Sequence, residues 1–162
     1  MTETQIFIML ILVLYIPIHI SEEAAGNFPS WMRRHKWTPD QLSYSHWMAG
    51  NLFLFYPLLL AAFLLYLFCG VRFFGGGILI WAIVNCMEHL AYTVHDRKKS
   101  PGLFTGLLFG ADSAAGFLSF SRRSGFDAEF LIASIITGIV LFSVPILLNM
   151  VFHDRLKLHF NS

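Results

Sequence analysis

The chain has 162 residues, of which 56% are hydrophobic and 13% charged, with 17 phenylalanines; a soluble domain has about 25% charged residues, so water is not the main solvent of this fold. A formal net charge of +1 leaves no strongly basic or acidic face, and nucleic acid is excluded as an expected partner. Cys69 and Cys86 lie in apolar runs without the spacing of a disulfide framework or a zinc motif, so both read as small core residues.

A membrane-spanning helix needs about 20 mainly apolar residues. The first such stretch, 4–21, is preceded by Glu3 where a secretory signal needs Lys or Arg, and His19, Glu22 and Glu23 follow its apolar run. It therefore reads as a retained helix. In HISEE, His19, Glu22 and Glu23 stand at i, i+3 and i+4, which places all three side chains on one face if the helix continues through them. An imidazole beside two carboxylates suits metal ligation or proton transfer; standing alone it would be an ordinary charged helix end.

The next segment, 27–44, mixes Phe28, Trp31, Trp37 and Tyr44 with Arg33, Arg34 and Lys36, the composition of a stretch lying in the headgroup layer. Two further spans follow at 46–70 and 72–95. The third runs for about fifteen residues without a charge and then presents Asn85, Glu88, His89, Tyr92 and His95 at helical spacings. An ionisable group inside a span costs about 2.5–3.5 kcal/mol near its centre, so it calls for a partner or a function. A fourth stretch, 102–121, is interrupted by Gly106, Gly110, Asp112 and Gly116, though Pro101 suits a helix start. The run 128–152 is the fifth.

Pro57 and Pro145 stand within apolar runs, where each removes a helix hydrogen bond and bends the span, although membrane helices tolerate proline. Gly75, Gly76 and Gly77 point to a close helix contact or a locally loosened turn, with no chemistry assigned to them. Asp112 reads as a neutral or hydrogen-bonded acid more readily than as a functional one. The expected architecture is an all-α integral membrane bundle of about five transmembrane helices, a single domain over 1–162 with no internal repeat or low-complexity tract.

In that topology Arg33, Arg34, Lys36, Arg97, Lys98, Lys99, Arg155 and Lys157 fall on one side, and Arg72, Arg122 and Arg123 on the other. The bias predicts an N-terminus outside and a C-terminus in the cytoplasm, in the inner (plasma) membrane. His19, His35, His46, His89, His95, His153 and His159 then all fall toward the cytoplasmic side, as polar residues at helix ends also would with no function.

Three sequence elements in order, HISEE with GNFPSW, NCMEHL and SPGLFTG, resemble the HXXEE-domain family of small membrane proteins over about 15–110. The resemblance carries the named motif onto His19, Glu22 and Glu23, a second element onto Asn85 and His89, and a third onto Pro101, Gly102 and Thr105. It implies a multi-span membrane protein suspected of enzymatic activity, with no reaction attached. His95 and Asp112 are not part of the pattern.

The expected function is that of a membrane-embedded enzyme acting on a lipid-like or hydrophobic substrate, by hydrolysis or isomerisation. His19, Glu22, Glu23, Asn85 and His89 are the candidate catalytic residues, Asn85 orienting a ligand. His19, Glu22, Glu23 and His89 are the candidate ligands of a divalent metal ion, since two imidazoles and two carboxylates form a ligand set; metal-free acid–base chemistry fits the same residues. A proton-coupled carrier is the first alternative, disfavoured by the lack of a duplicated half. An accessory protein with a buried polar clasp is the second.

Overall fold

In the computed structural model, residues 1–35, 42–124 and 126–160 are described, the side chains of Ser124 and 152–160 excepted. Lys36 and Trp37, and the side chains of His153, Arg155, Lys157 and His159, therefore lie outside the described residues. The protein is an all-α bundle with five helices long and apolar enough to cross a membrane: Glu3–Ala25, Tyr44–Cys69, Arg72–Asp96, Leu103–Arg123 and Ala128–Val151. The fifth continues as helix to Phe160.

The first span starts with Thr2, whose side chain accepts from the Gln5 amide while the Gln5 side chain accepts from the Thr2 amide, satisfying two helix-end donors reciprocally. It does not stay α-helical. Tyr15–Ile20 is a π-helical turn, and Pro17 at its centre explains it: proline has no N–H to give, and its ring crowds the carbonyl four residues earlier. The second span shows the same device at Asn51–Phe55, just ahead of Pro57. Pro145 is accommodated inside the fifth helix without such a turn.

The third span is the hub, packing against all four others. Glycines let neighbours approach it closely, as expected where helices associate in lipid by packing rather than by the hydrophobic effect. A Cβ on Gly76 or Gly77 would fall within 3 Å of Ser134 or Thr137 of the fifth span. The glycines of the 102–121 stretch serve the same purpose. A Cβ on Gly106 would stand 3.2 Å from His89, on Gly110 2.8 Å from Cys86 Sγ, and on Gly116 2.9 Å from Leu79. One face of the fourth span is thus shaped to the third, and the helix is continuous where the glycines suggested interruption.

Two expectations need correction. Cys86 is buried, but Cys69 is exposed at the end of the second span and is not a core residue. Phe28 and Trp31 form part of the short helix Phe28–Met32 and turn inward to pack on the protein's interior, Phe28 against His89 and Trp31 against Tyr92. Phe28 and Trp31 thus cover the polar end of the bundle, ring against ring.

Candidate functional site

The end of the first span, the end of the third and the start of the fourth meet at one end of the bundle. The π turn brings Tyr15 and His19 to the same side of the first span, their rings stacked at 5.6 Å. One turn later Glu23 follows at i+4 from His19. On the third span Asn85 and His89 are also four apart and face the first. His89 is 0% exposed, His19 1% and Glu23 5%. Their separations are short: Glu23 Oε1 lies 3.4 Å from His89 Nε2 and 3.6 Å from His19 Nε2, and one ligand atom from each of the three residues falls within 4.8 Å of the others.

Glu22 faces elsewhere. Its carboxylate accepts from the Phe104 amide at 3.1 Å, the Thr105 amide at 2.9 Å and the Thr105 hydroxyl at 2.7 Å. It closes the N-terminus of the fourth span from another helix, where free amides and the helix dipole favour an anion. The expected four-ligand set therefore divides: His19, Glu23 and His89 converge, with Asn85 beside them, and Glu22 stands two hydrogen bonds behind His19, through Thr105.

The hydrogen bonds assign the His19 tautomer. Thr105 gives its hydroxyl proton to Glu22, so at 2.7 Å from His19 Nδ1 its oxygen accepts, and Nδ1 carries the proton. His89 Nδ1 is bonded to the Ser100 hydroxyl at 3.0 Å, and that hydroxyl also lies 3.1 Å from the Pro101 carbonyl. His19 thus turns a bare Nε2 lone pair toward the Glu23 carboxylate, and His89 Nε2 faces the same oxygen. The separations of 3.4 and 3.6 Å are longer than hydrogen bonds. The nearest donor is the Asn85 amide, 3.4 Å from His19 Nε2. His89 Nε2 and Asn85 Oδ1 are buried without a hydrogen-bond partner. Among the described residues no Lys or Arg forms an ion pair with Glu22, Glu23 or Glu88.

The loop between the third and fourth spans is fitted to this arrangement. Gly102 has φ +87°, a conformation L side chains rarely adopt, and a Cβ there would come 2.5 Å from His89 Cε1 and 2.9 Å from Glu23 Cγ. Pro101 packs on Gly26, where a Cβ would be 2.5 Å away. The residues Pro101, Gly102 and Thr105 are thus a wall and a hydrogen-bond partner of the same site.

Beside the cluster lies a cavity of about 340 Å³ between the first, second, third and fifth spans. His19, Glu23 and Asn85 line one part of it, Trp47, Phe55, Trp81 and Phe142 make apolar walls, and Glu88 reaches it from the third span. The two π turns meet at this cavity, where the Tyr15 hydroxyl donates to Asn51 Oδ1 at 2.5 Å and Asn51 donates to the Trp47 carbonyl at 2.9 Å. A second group, His35, His95 and Asp96, sits at the same end: Asp96 is 3.4 Å from His35 and 2.8 Å from His95. His46 is at the start of the second span, bonded to Ser43. Asp112 belongs to neither group; its Oδ2 and the Ser113 hydroxyl are buried and unbonded.

Sequence reasoning did not single out Pro17, Tyr15, Asn51 or Ser100. Pro17, two residues before His19, was the available signal for a distorted turn; the Tyr15–Asn51 pair and the role of Ser100 arise from contacts between helices and leave no local pattern.

A family model described as "Protein of unknown function with HXXEE motif" matches residues 10–111. No curated protein and no solved structure matches the chain.

Proposed function

The chain belongs to the HXXEE family, and we propose that it is a membrane-embedded enzyme that holds a divalent metal ion with His19, Glu23 and His89 and acts on a lipid-like substrate in the adjoining cavity. One observation carries the reading: two imidazole Nε2 atoms and a carboxylate oxygen converge in a buried place, 3.4 and 3.6 Å from imidazole to carboxylate, too long for hydrogen bonds between them. A cation among its members would draw such a set together. The spacing suits an ion, because ligands at about 2.0–2.1 Å around a tetrahedral zinc stand about 3.3–3.4 Å apart, against the 3.4 and 3.6 Å found here. Nδ1–H bonded to a hydroxyl, itself bonded to a carboxylate, is the outer support that metal-ligating histidines need.

Three protein ligands leave a position for water, and the ion would supply an activated water and a Lewis acid for hydrolysis. Asn85, 6% exposed with an unbonded oxygen, is placed to hold the substrate, and Glu22 with Thr105 holds His19 in the required tautomer. Metal-free acid–base chemistry is a second reading, favoured by Glu88, a further carboxylate lining the cavity. The charge bias of the loops supports a cytoplasmic C-terminus in the plasma membrane, which would open this end of the bundle to the cytoplasm.

Elemental analysis of protein purified in detergent without added metal is the test. About one zinc, iron or manganese per chain is expected. A chain that carries no metal and binds none on titration would overturn the metal reading; directional uptake into vesicles would replace it with a carrier.

A further inference from the structure

The cavity has a polar end and an apolar side. Ile146 and Met150, one turn apart on the fifth span, line it and are 37% and 49% exposed. Across from them the second span offers Gly50 and Phe55, and Asn149 packs over Gly50, where a Cβ would stand 2.8 Å from its amide. Two exposed apolar side chains thus form one wall of the cavity, where the second and fifth spans adjoin it.

The polar end is specific in its chemistry. Asn85 Oδ1 and Asn149 Oδ1 are buried acceptors without partners, and Trp81 Nε1 is a buried donor without one. Glu23 and Glu88 add two carboxylates, and the described residues lining the cavity include no Lys or Arg. The two carboxylates offset the charge of the divalent ion proposed above, so the polar end is left without net positive charge to hold a carboxylate or phosphate headgroup in a low-dielectric place. A neutral hydroxyl would meet acceptors. A volume of about 340 Å³ is at the small end of the range for ligand sites, about 300–1,000 Å³, and suits one hydrocarbon chain rather than two.

We propose that the cavity is a laterally entered site for a single-chain lipid with a neutral, hydrogen-bond-donating headgroup, its head at Asn85 and its chain leaving past Ile146 and Met150 toward the bilayer. The proposal names the substrate class of the enzyme site above and so rests on that reading, but the two fail separately.

The test uses the full chain in phosphatidylcholine nanodiscs and three probes with the same single alkyl chain carrying a diazirine near its end: an alcohol, an amine and a carboxylic acid. The alcohol is expected to label peptides containing Trp47–Phe55 and Phe142–Met150, with at least about tenfold less labelling by the charged amine and acid at neutral pH. Asn85→Leu should weaken the alcohol by about tenfold, and Ile146→Trp should block it while leaving metal content unchanged. Equal labelling by the amine or the acid, or labelling spread evenly over lipid-facing positions such as Ile132 and Ile136, would overturn the proposal. If Ile146→Trp does not accumulate, Met150→Trp gives the same reading of that wall. Metal present with no enriched labelling sinks this inference alone; enriched labelling without metal sinks the metal enzyme and leaves the lipid site standing.

Discussion

Replacing Thr105 by Val tests whether the hydrogen bonds behind His19 serve a ligand or only the fold. The two side chains have nearly the same shape, so packing is preserved and the change is one hydroxyl. That hydroxyl accepts from His19 Nδ1 at 2.7 Å and donates to Glu22 Oε2 at 2.7 Å. Glu22 keeps its two backbone donors, at 3.1 and 2.9 Å, so the start of the fourth span remains capped. His19, 1% exposed, is left with a buried N–H that has no acceptor, at a cost of about 1–3 kcal/mol. The ring can avoid that cost by moving its proton to Nε2, which puts the proton where the metal would be. Zinc affinity should therefore fall by about 10–100-fold, the usual loss when the support of a ligating histidine is removed. Competition against a chromophoric chelator measures it, with thermal unfolding in parallel, and Thr105→Ser should remain near the parent in both. Unchanged zinc affinity in Thr105→Val, with stability lowered by the same amount as expected, would refute the tautomer argument and leave the hydroxyl a structural one.

The other substitutions separate the remaining roles. Glu23→Gln should eliminate bound metal while leaving thermal stability equal or higher, because a buried carboxylate facing two imidazole nitrogens beyond hydrogen-bond distance is removed; a clasp would instead lose stability. Glu22→Gln should cost about 0.5–2 kcal/mol through the weakened cap of the fourth span, read as a lower unfolding temperature, with metal still bound when the protein is folded. Gly102→Ala must strain φ +87° and displace His89, so both metal affinity and unfolding temperature should drop, the backbone part being about 1–2 kcal/mol. Pro17→Ala restores a donor and removes the reason for the π turn; a regular α-helix would rotate His19 out of register with Glu23's partner, and metal binding should fall although the helix itself gains. Retained metal binding in that variant would show that the turn is set by its packing rather than by proline.

How much of this was legible in the sequence depends on whether the signal was local. The spans were, because length and hydropathy in a bilayer are nearly sufficient to identify them, and the residues 102–121 became ambiguous only because glycine reads as a breaker when its neighbour helix is unknown. Asn85 and His89 were legible as a pair, since two polar residues four apart at the end of an apolar span share one face and both need a partner there. The division between Glu22 and Glu23 was not. Adjacent residues on a helix point about 100° apart, and which of the two turns toward His89 and which toward the fourth span follows from the approach of helices far apart in sequence. Tyr15 with Asn51 escaped for the same reason.

The bundle accepts two irregular turns, buried polar atoms without partners at His89 Nε2 and Asn85 Oδ1, and two carboxylates on one cavity, Glu23 and Glu88, within one small region of an otherwise apolar protein. In lipid each of these is costly, since backbone groups freed by a π turn and side chains without partners have no water to turn to. A polar clasp joining the first and third spans would be satisfied by a direct hydrogen bond, donor to acceptor, and a protonated imidazole beside Glu23 would supply one at about 2.8 Å. The protein instead directs the His19 Nδ1 proton outward to Thr105 and holds both Nε2 atoms 3.4 and 3.6 Å from the carboxylate, too far for that bond. A proton fixed on the far side of His19 would stabilise the pair of helices poorly and a bound cation well, and that difference is what the substitutions at Thr105 and Glu23 measure.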